Sequence, residues 1–490
     1  MRTWYKIGLL LCLLAAIGSC KKFLAVKPLD TLSGNDFWKT KTDAQKAVTG
    51  VYAILLGKFT RGILYNAGDF RAGNWNWYDK TNLKMLGTNR MLETSNGDGA
   101  EDPRNWTEFY QAIAAANLCI DRIPGIQDPA FSDRDKKALV AEAKFIRTFI
   151  YFYMVRLYGD VPLQLSPYDK DLRPREKMLT VLEVCRKDLA AAKDDLPVAY
   201  EDPTNRAVRG TKGAALALMA HMNMWSAGFD KANQQQYWTA TAALIKELMD
   251  LHQYILLPYT KETFKSIFKG RSEEGIFELS LDANYGGQFH QLICQWTLHE
   301  PYIRSGGDGY FSEITPIIKH LDRMYPRGES DKRFDLWFDD PYSTRNGQSA
   351  MFLKFSAITN PVSRDYDANL IFFRYADVIL LRAEALAYLG QNAEAVNMLN
   401  MVRDRAGAKE YNGGGGVALQ DAIFVEREKE MMGEGHLYYD LLRTGRIMDK
   451  NVTENPLTAD QMEKRAWTWP ISDDAVKNNP LVTKNQYWIQ

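Results

Sequence analysis

Reactive side chains are scarce in this chain. Cysteine occurs five times and histidine six times. There is no CxxC pair, no HExxH and no GxSxG elbow, so the signatures of redox pairs, zinc ribbons, zinc proteases and serine hydrolases are all missing. Net charge is missing as well. Lys plus Arg equals Asp plus Glu, 61 each, which denies the protein the basic face a nucleic-acid binder needs. The glycine run "YNGGGG" (411–416) has no GK[ST] after it, so it is not a phosphate cradle.

A long apolar run is also lacking. The one at the start, Ile7 to Ile17, would reach only about 16 Å as a helix, short of the ~30 Å core of a bilayer. Preceded by Arg2 and Lys6 and closed by Gly18-Ser19-Cys20, it reads as a secretory signal peptide over residues 1–19. Its end resembles a bacterial lipobox. Cys20 is then the lipidated N-terminal residue, and residues 20–35 form the tether. Of the remaining cysteines, Cys119 and Cys185 fall in helical patterns and read as buried small hydrophobes. One disulfide among these two and Cys294 stays open.

Apolar residues make up 46% of the chain and aromatics 12%, ample for a large core. From Trp106 to Ile123 apolar residues recur at the helical period, and Pro124-Gly125 ends the stripe. Ser132-x-x-Asp135 starts the next helix, which runs to about Tyr158 before Gly159-Asp160-Val161-Pro162. Helices follow at 178–194, at the Ala-rich 211–226, and from Trp238 to Met249. A late pair, 375–390 and 392–407, is stopped by Gly390 and Gly407. Its small residues Ala383, Ala387 and Ala395 suit tetratricopeptide-like packing. The expected fold is mainly α: helix pairs over 36–254 and 371–490, separated by a loop-rich, partly β insertion at 255–370.

Several segments resemble the SusD/RagB family of outer-membrane nutrient-binding lipoproteins. They are "SCKKFLAVKP", "WTEFYQAIAAANLCIDRIP", "AEAKFIRTFIYFYMVRLYGDVPL", "FFRYADVILLRAEALAYLG", "LNMVRDRAG", "VEREKEMMGEGHLYYDLLRTG" and the closing "WPIS". They stand in the family's order and span nearly the whole chain. The resemblance implies a SusD-like fold, no catalytic centre, no cofactor, and a lid-like role on a SusC-like TonB-dependent transporter. It also implies a lipid anchor in the outer membrane facing the cell exterior, with oligosaccharide or another small nutrient as ligand.

Sugar recognition needs flat aromatic faces for the C–H side of a pyranose and a polar rim for its hydroxyls. Two loop segments carry both. In "GDFRAGNWNWYDK" (68–80), Trp75 and Trp77 share one face if extended, Tyr78 adjoins them, and Asp69, Arg71 and Asn74 supply polar partners. In residues 284–310 the candidates are Tyr285, Gln288, Trp296, Tyr302, Arg304 and Tyr310. His221, in an apolar helix, reads as a packing residue. Glu426, Glu430 and Glu434 recur every fourth position among basic residues and read as ion pairs or a solvated face. Two other function classes stay open at this point: a glycan-cleaving enzyme, whose carboxylate pair is set in space rather than in sequence, and a peptide-binding scaffold.

Overall fold

A computed structural model gives the fold and describes residues 37–78, 81–93, 104–169, 171–281, 292–303, 311–343, 349–360, 362 and 366–489. The signal segment, Cys20 and the tether lie outside the described residues.

The principal helices are α1 (Lys41–Lys58), α2 (Thr107–Arg122), α3 (Asp133–Tyr158), α4 (Met178–Ala192), α5 (Lys212–Phe229), α6 (Gln234–Asp250), α7 (Tyr375–Tyr388), α8 (Asn392–Arg405), α9 (Val417–Glu430) and α10 (Leu437–Arg443). Each from α1 to α7 packs on the next, and α7 then packs on both α8 and α9. The helix ladder thus continues across the 255–370 interval, as the mainly α, tetratricopeptide-like expectation requires. Local chemistry sets its ends. Thr40 Oγ1 accepts from the Asp43 N–H at 3.1 Å while Asp43 returns a bond to the Thr40 N–H at 2.8 Å, which closes a capping box on α1. Ser132 Oγ likewise accepts from the Asp135 N–H at 3.1 Å, and α3 stops at Gly159, whose φ of 75° suits a residue without a Cβ.

Ala383, Ala387 and Ala395 sit in one buried cluster with Ile379, Leu380, Leu386, Leu399, Val402, Leu419 and Ile423. The small side chains are where α7 and its partners approach. Cys119, Cys185 and Cys294 are buried, and no disulfide joins them.

Strands are few and short. β1 (Trp75–Trp77) pairs antiparallel with β3 (Ile314–Pro316), β2 (Gly275–Leu279) with β6 (Leu370–Arg374), and β4 (Phe338–Asp339) with β5 (Met351–Phe352). The β2–β6 ribbon is buried throughout. Its Phe277 and Phe372 meet Phe149 of α3 edge to face, at 5.0 and 4.9 Å between ring centroids. Such pairs contribute roughly 0.5–1.5 kcal/mol each beyond area burial.

The acidic triplet on and after α9 forms ion pairs, and it is buried rather than solvated. Arg374 bonds Glu274 at 2.8 Å, Glu430 at 2.7 Å and Glu434 at 2.7 Å. Arg405 bonds Glu274 at 2.9 Å and Glu430 at 2.6 Å. Arg333 reaches Glu426 at 2.6 Å and Glu430 at 2.8 Å. Burial alone would raise the Glu430 carboxyl, but Arg405, Arg374 and Arg333 hold it well below the usual range. Lys354 joins through Glu434 at 2.5 Å, and burial pushes its ammonium down to about 8.

Candidate functional site

The two aromatic segments singled out in the sequence are brought together. β1 pairs with β3, and the Glu313 N–H just before β3 donates to the Trp296 carbonyl at 2.8 Å. Phe70 joins them from below, with Trp75 at 5.5 Å and Trp296 at 5.8 Å between centroids. Trp75 also meets Phe352 at 5.7 Å. Trp75 and Trp296 are 2% and 1% exposed, so both form the floor of the site and neither offers a face to a ligand.

The polar candidates beside them correct the sequence reading more sharply. Asp69, Arg71 and Asn74 were expected on a rim; all three are interior. Asp69 Oδ2 accepts from the Gly435 N–H at 2.6 Å. Arg71 donates to the carbonyls of Ala466, Trp467 and Thr468 at 2.6, 2.5 and 2.9 Å, and to Asn89 Oδ1 at 3.0 Å. Its guanidinium lies 4.7 Å over the Tyr438 ring. Asn74 donates to the Val452 carbonyl at 2.9 Å and accepts from the Glu454 N–H at 3.2 Å. These groups clamp residues 68–77 to the C-terminal region. Their hydrogen-bonding capacity is committed to backbone that would otherwise be orphaned, at a cost of about 1–3 kcal/mol per group. Burial pushes the Asp69 carboxyl up to about 7, against the pull of the Gly435 N–H.

Trp77, Tyr78 and Tyr302 are half-buried. Trp77 stands over Gly87, where an added Cβ would come within 2.2 Å of its ring. That glycine lets the outer edge of the indole approach the backbone at the end of the 81–87 helix. The Tyr78 N–H donates to the Glu313 carbonyl at 3.2 Å and its hydroxyl is 3.4 Å from Thr315 Oγ1. The Tyr302 N–H donates to the His299 carbonyl at 2.9 Å. Tyr285, Gln288, Arg304 and Tyr310 lie outside the described residues. The arrangement is a rigid aromatic floor with three partly exposed aromatic side chains, held on short ribbons and turns.

One aromatic surface escaped the sequence reading. Trp238 of α6 stacks on Tyr388 of α7, with 4.6 Å between centroids and 10° between planes. The pair borders an open cleft of about 520 Å³ that also exposes Gln234, Asp421 and Arg446. In the sequence Trp238 reads only as the start of a helix. It continues the stripe of the buried Thr241, Ile245 and Leu248, so the helical period gives no sign that it borders a cleft.

Comparisons with known proteins agree with this architecture. A family model described as the SusD family matches residues 339–488. A second, described as starch-binding and associating with the outer membrane, matches residues 23–224. The chain is similar to a SusD homolog of Bacteroides thetaiotaomicron of known structure, with a TM-score of 0.84 and 30% identity over 92% of this chain and 100% of that one. It is 27% identical to SusD-like protein P38 of Formosa agariphila over 97% of both chains. Surface glycan-binding protein A of Bacteroides uniformis shares the fold, with a TM-score of 0.71 at 21% identity over 91% of this chain and 100% of that one.

Proposed function

Since this chain belongs to the SusD family, a family associated with glycan binding at the outer membrane, we propose that it captures an oligosaccharide at the cell surface and passes it to a TonB-dependent, SusC-like transporter. No bond is made or broken. The lipidated Cys20 is the tether in this reading, and the membrane is met there alone.

The observation that carries the proposal is that Trp77 and Tyr78, which follow the buried Trp75 along and just past β1, stay half-exposed, as does Tyr302 a few residues after the buried Trp296. A pyranose ring lays its C–H face on an aromatic plane, and nearby hydroxyl and amide groups answer its equatorial hydroxyls. Trp77 is packed against Gly87, so little side-chain entropy is lost there when sugar arrives.

The test is retention of the full-length chain on a panel of immobilised glycans, with Trp77→Ala beside the parent. Trp77 is only partly buried, so the variant should fold. Weakening of about tenfold or more on whichever glycan the parent retains supports the site; that is about 1.4 kcal/mol. Undiminished retention removes Trp77 from it. Shortening of the glycan during incubation would replace capture by cleavage. Loss of metabolic acyl labelling in Cys20→Ser checks the anchor.

A further inference from the structure

Three chain segments far apart in sequence converge inside the ladder at His221 of α5, Asp377 in the first turn of α7, and His436, which precedes α10. One ligand-type atom from each lies within 4.8 Å of the others. We propose that these three side chains form a structural site for a divalent transition-metal ion of the zinc–cobalt type.

The donor set fits that class. Two imidazoles and one carboxylate suit zinc, cobalt or nickel and are poor for magnesium or calcium, which take oxygen ligands. A tetrahedral ion bound at about 2.0–2.2 Å holds its ligand atoms roughly 3.4 Å apart. His221 Nε2 and Asp377 Oδ2 are now 2.8 Å apart, so they need only part slightly while His436 draws in. Coordination through Nε2 leaves the His221 ring proton on Nδ1, and no covalent bond changes.

Independent observations point the same way. His436 is 6% exposed, and among the described residues its ring nitrogens have no hydrogen-bond partner. Its ring centroid lies 5.7 Å from that of His221. Neither ring nitrogen is committed to a hydrogen bond, so either can serve as a ligand atom. The other two ligands are already oriented. Arg427 holds Asp377 by Oδ1 at 3.0 Å and by its carbonyl at 2.9 Å, which leaves Oδ2 to face His221. The His221 ring is stacked on Phe373 at 4.7 Å. Outer-shell contacts of this kind are what orient metal ligands. The linked ion pairs around the site join three carboxylates, Asp377, Asp440 and Glu384, to two guanidiniums, Arg427 and Arg443. Arg156, enclosed by the rings of Phe152, Tyr153 and Tyr439, also acts on Asp377 and Asp440, so carboxylates and guanidiniums balance at three each and the donor geometry, not excess charge, carries the proposal. In this proposal a water completes the tetrahedron. Bound metal would pin α5, α7 and the segment before α10 to one point.

The experiment titrates chelator-stripped, full-length protein with cobalt(II), then zinc. Expected are one equivalent of cobalt with a visible absorption band of tetrahedral intensity, its loss on adding zinc, and a rise in melting temperature with either ion. His436→Ala removes one ligand without orphaning a hydrogen bond, and His221→Gln can keep the contact with Asp377. Each should weaken binding by at least about tenfold, with an unchanged circular dichroism spectrum in at least one of them. Absence of the cobalt band at one equivalent overturns the proposal. So does binding as tight as the parent's in both variants, which would place the ion on surface groups.

Discussion

Helix α9 buries one stripe along its length, and the two halves of that stripe are built on opposite principles. The N-terminal half puts Leu419 and Ile423 into an apolar cluster with α7 and α8. The C-terminal half puts Glu426 and Glu430 against Arg333, Arg374 and Arg405. The apolar half is non-directional and tolerates sliding. The charged half has fixed bond geometry, and it lies where the ladder meets the irregular 255–370 region through Glu274 and Arg333. The difference teaches that stacking of helices is left to shape, while the register between ladder and insertion is set by ion pairs. Such pairs add little net stability but penalise every misalignment.

The largest effect should follow from breaking the charged half. Arg374→Met leaves Glu274, Glu430 and Glu434 short of a partner and should cost about 3–5 kcal/mol in urea unfolding. Survival of the variant at parental stability would show that the network is dispensable. In the apolar cluster, Leu399→Ala of α8 opens a cavity and should cost about 2–5 kcal/mol, set by how far the site collapses. A larger loss there than for Arg374→Met would reverse the comparison.

The two kinds of buried acid should also part company with pH. Asp69 and Glu278 are each pushed up to about 7 by burial, so the folded protein keeps protons that the unfolded chain releases near 4. Their contribution is greatest below about 4 and is lost as pH rises through 7. Glu430 and Glu434 are held low by their guanidinium and ammonium partners, so theirs is present at neutral pH and lost on acidification. Asp69→Asn should flatten the fall in stability between about pH 4 and 7, by up to about 1.4 kcal/mol per pH unit. Urea midpoints at a series of pH values check it; an unchanged slope would show that Asp69 ionises normally. The smallest effect is at the ladder's far end, where Thr40→Ala removes the α1 cap and should cost about 1 kcal/mol.

What the sequence revealed, and what it concealed, divides along the same line. Periodicity and caps announced α2, α3, α7 and α8, because the apolar stripe, Ser132, Gly390 and Gly407 act within a few residues of themselves. β2 falls within the partly β insertion expected at 255–370. Arg71 was misread because its acceptors lie 395 to 397 positions away, and nothing local distinguishes a guanidinium bound for three carbonyls from one bound for a sugar. Trp75 and Trp296 were misread likewise: an aromatic in a glycine-rich loop looks exposed until Phe70 and Phe352 arrive beside it. Burial of the acidic triplet after α9 depended on arginines from three other segments.

Arg71 finally says something about timing. Its three carbonyl acceptors, on Ala466, Trp467 and Thr468, lie 395 to 397 positions downstream. Until those residues have been synthesised the guanidinium cannot make these bonds, so the interior around it closes late in the making of the chain.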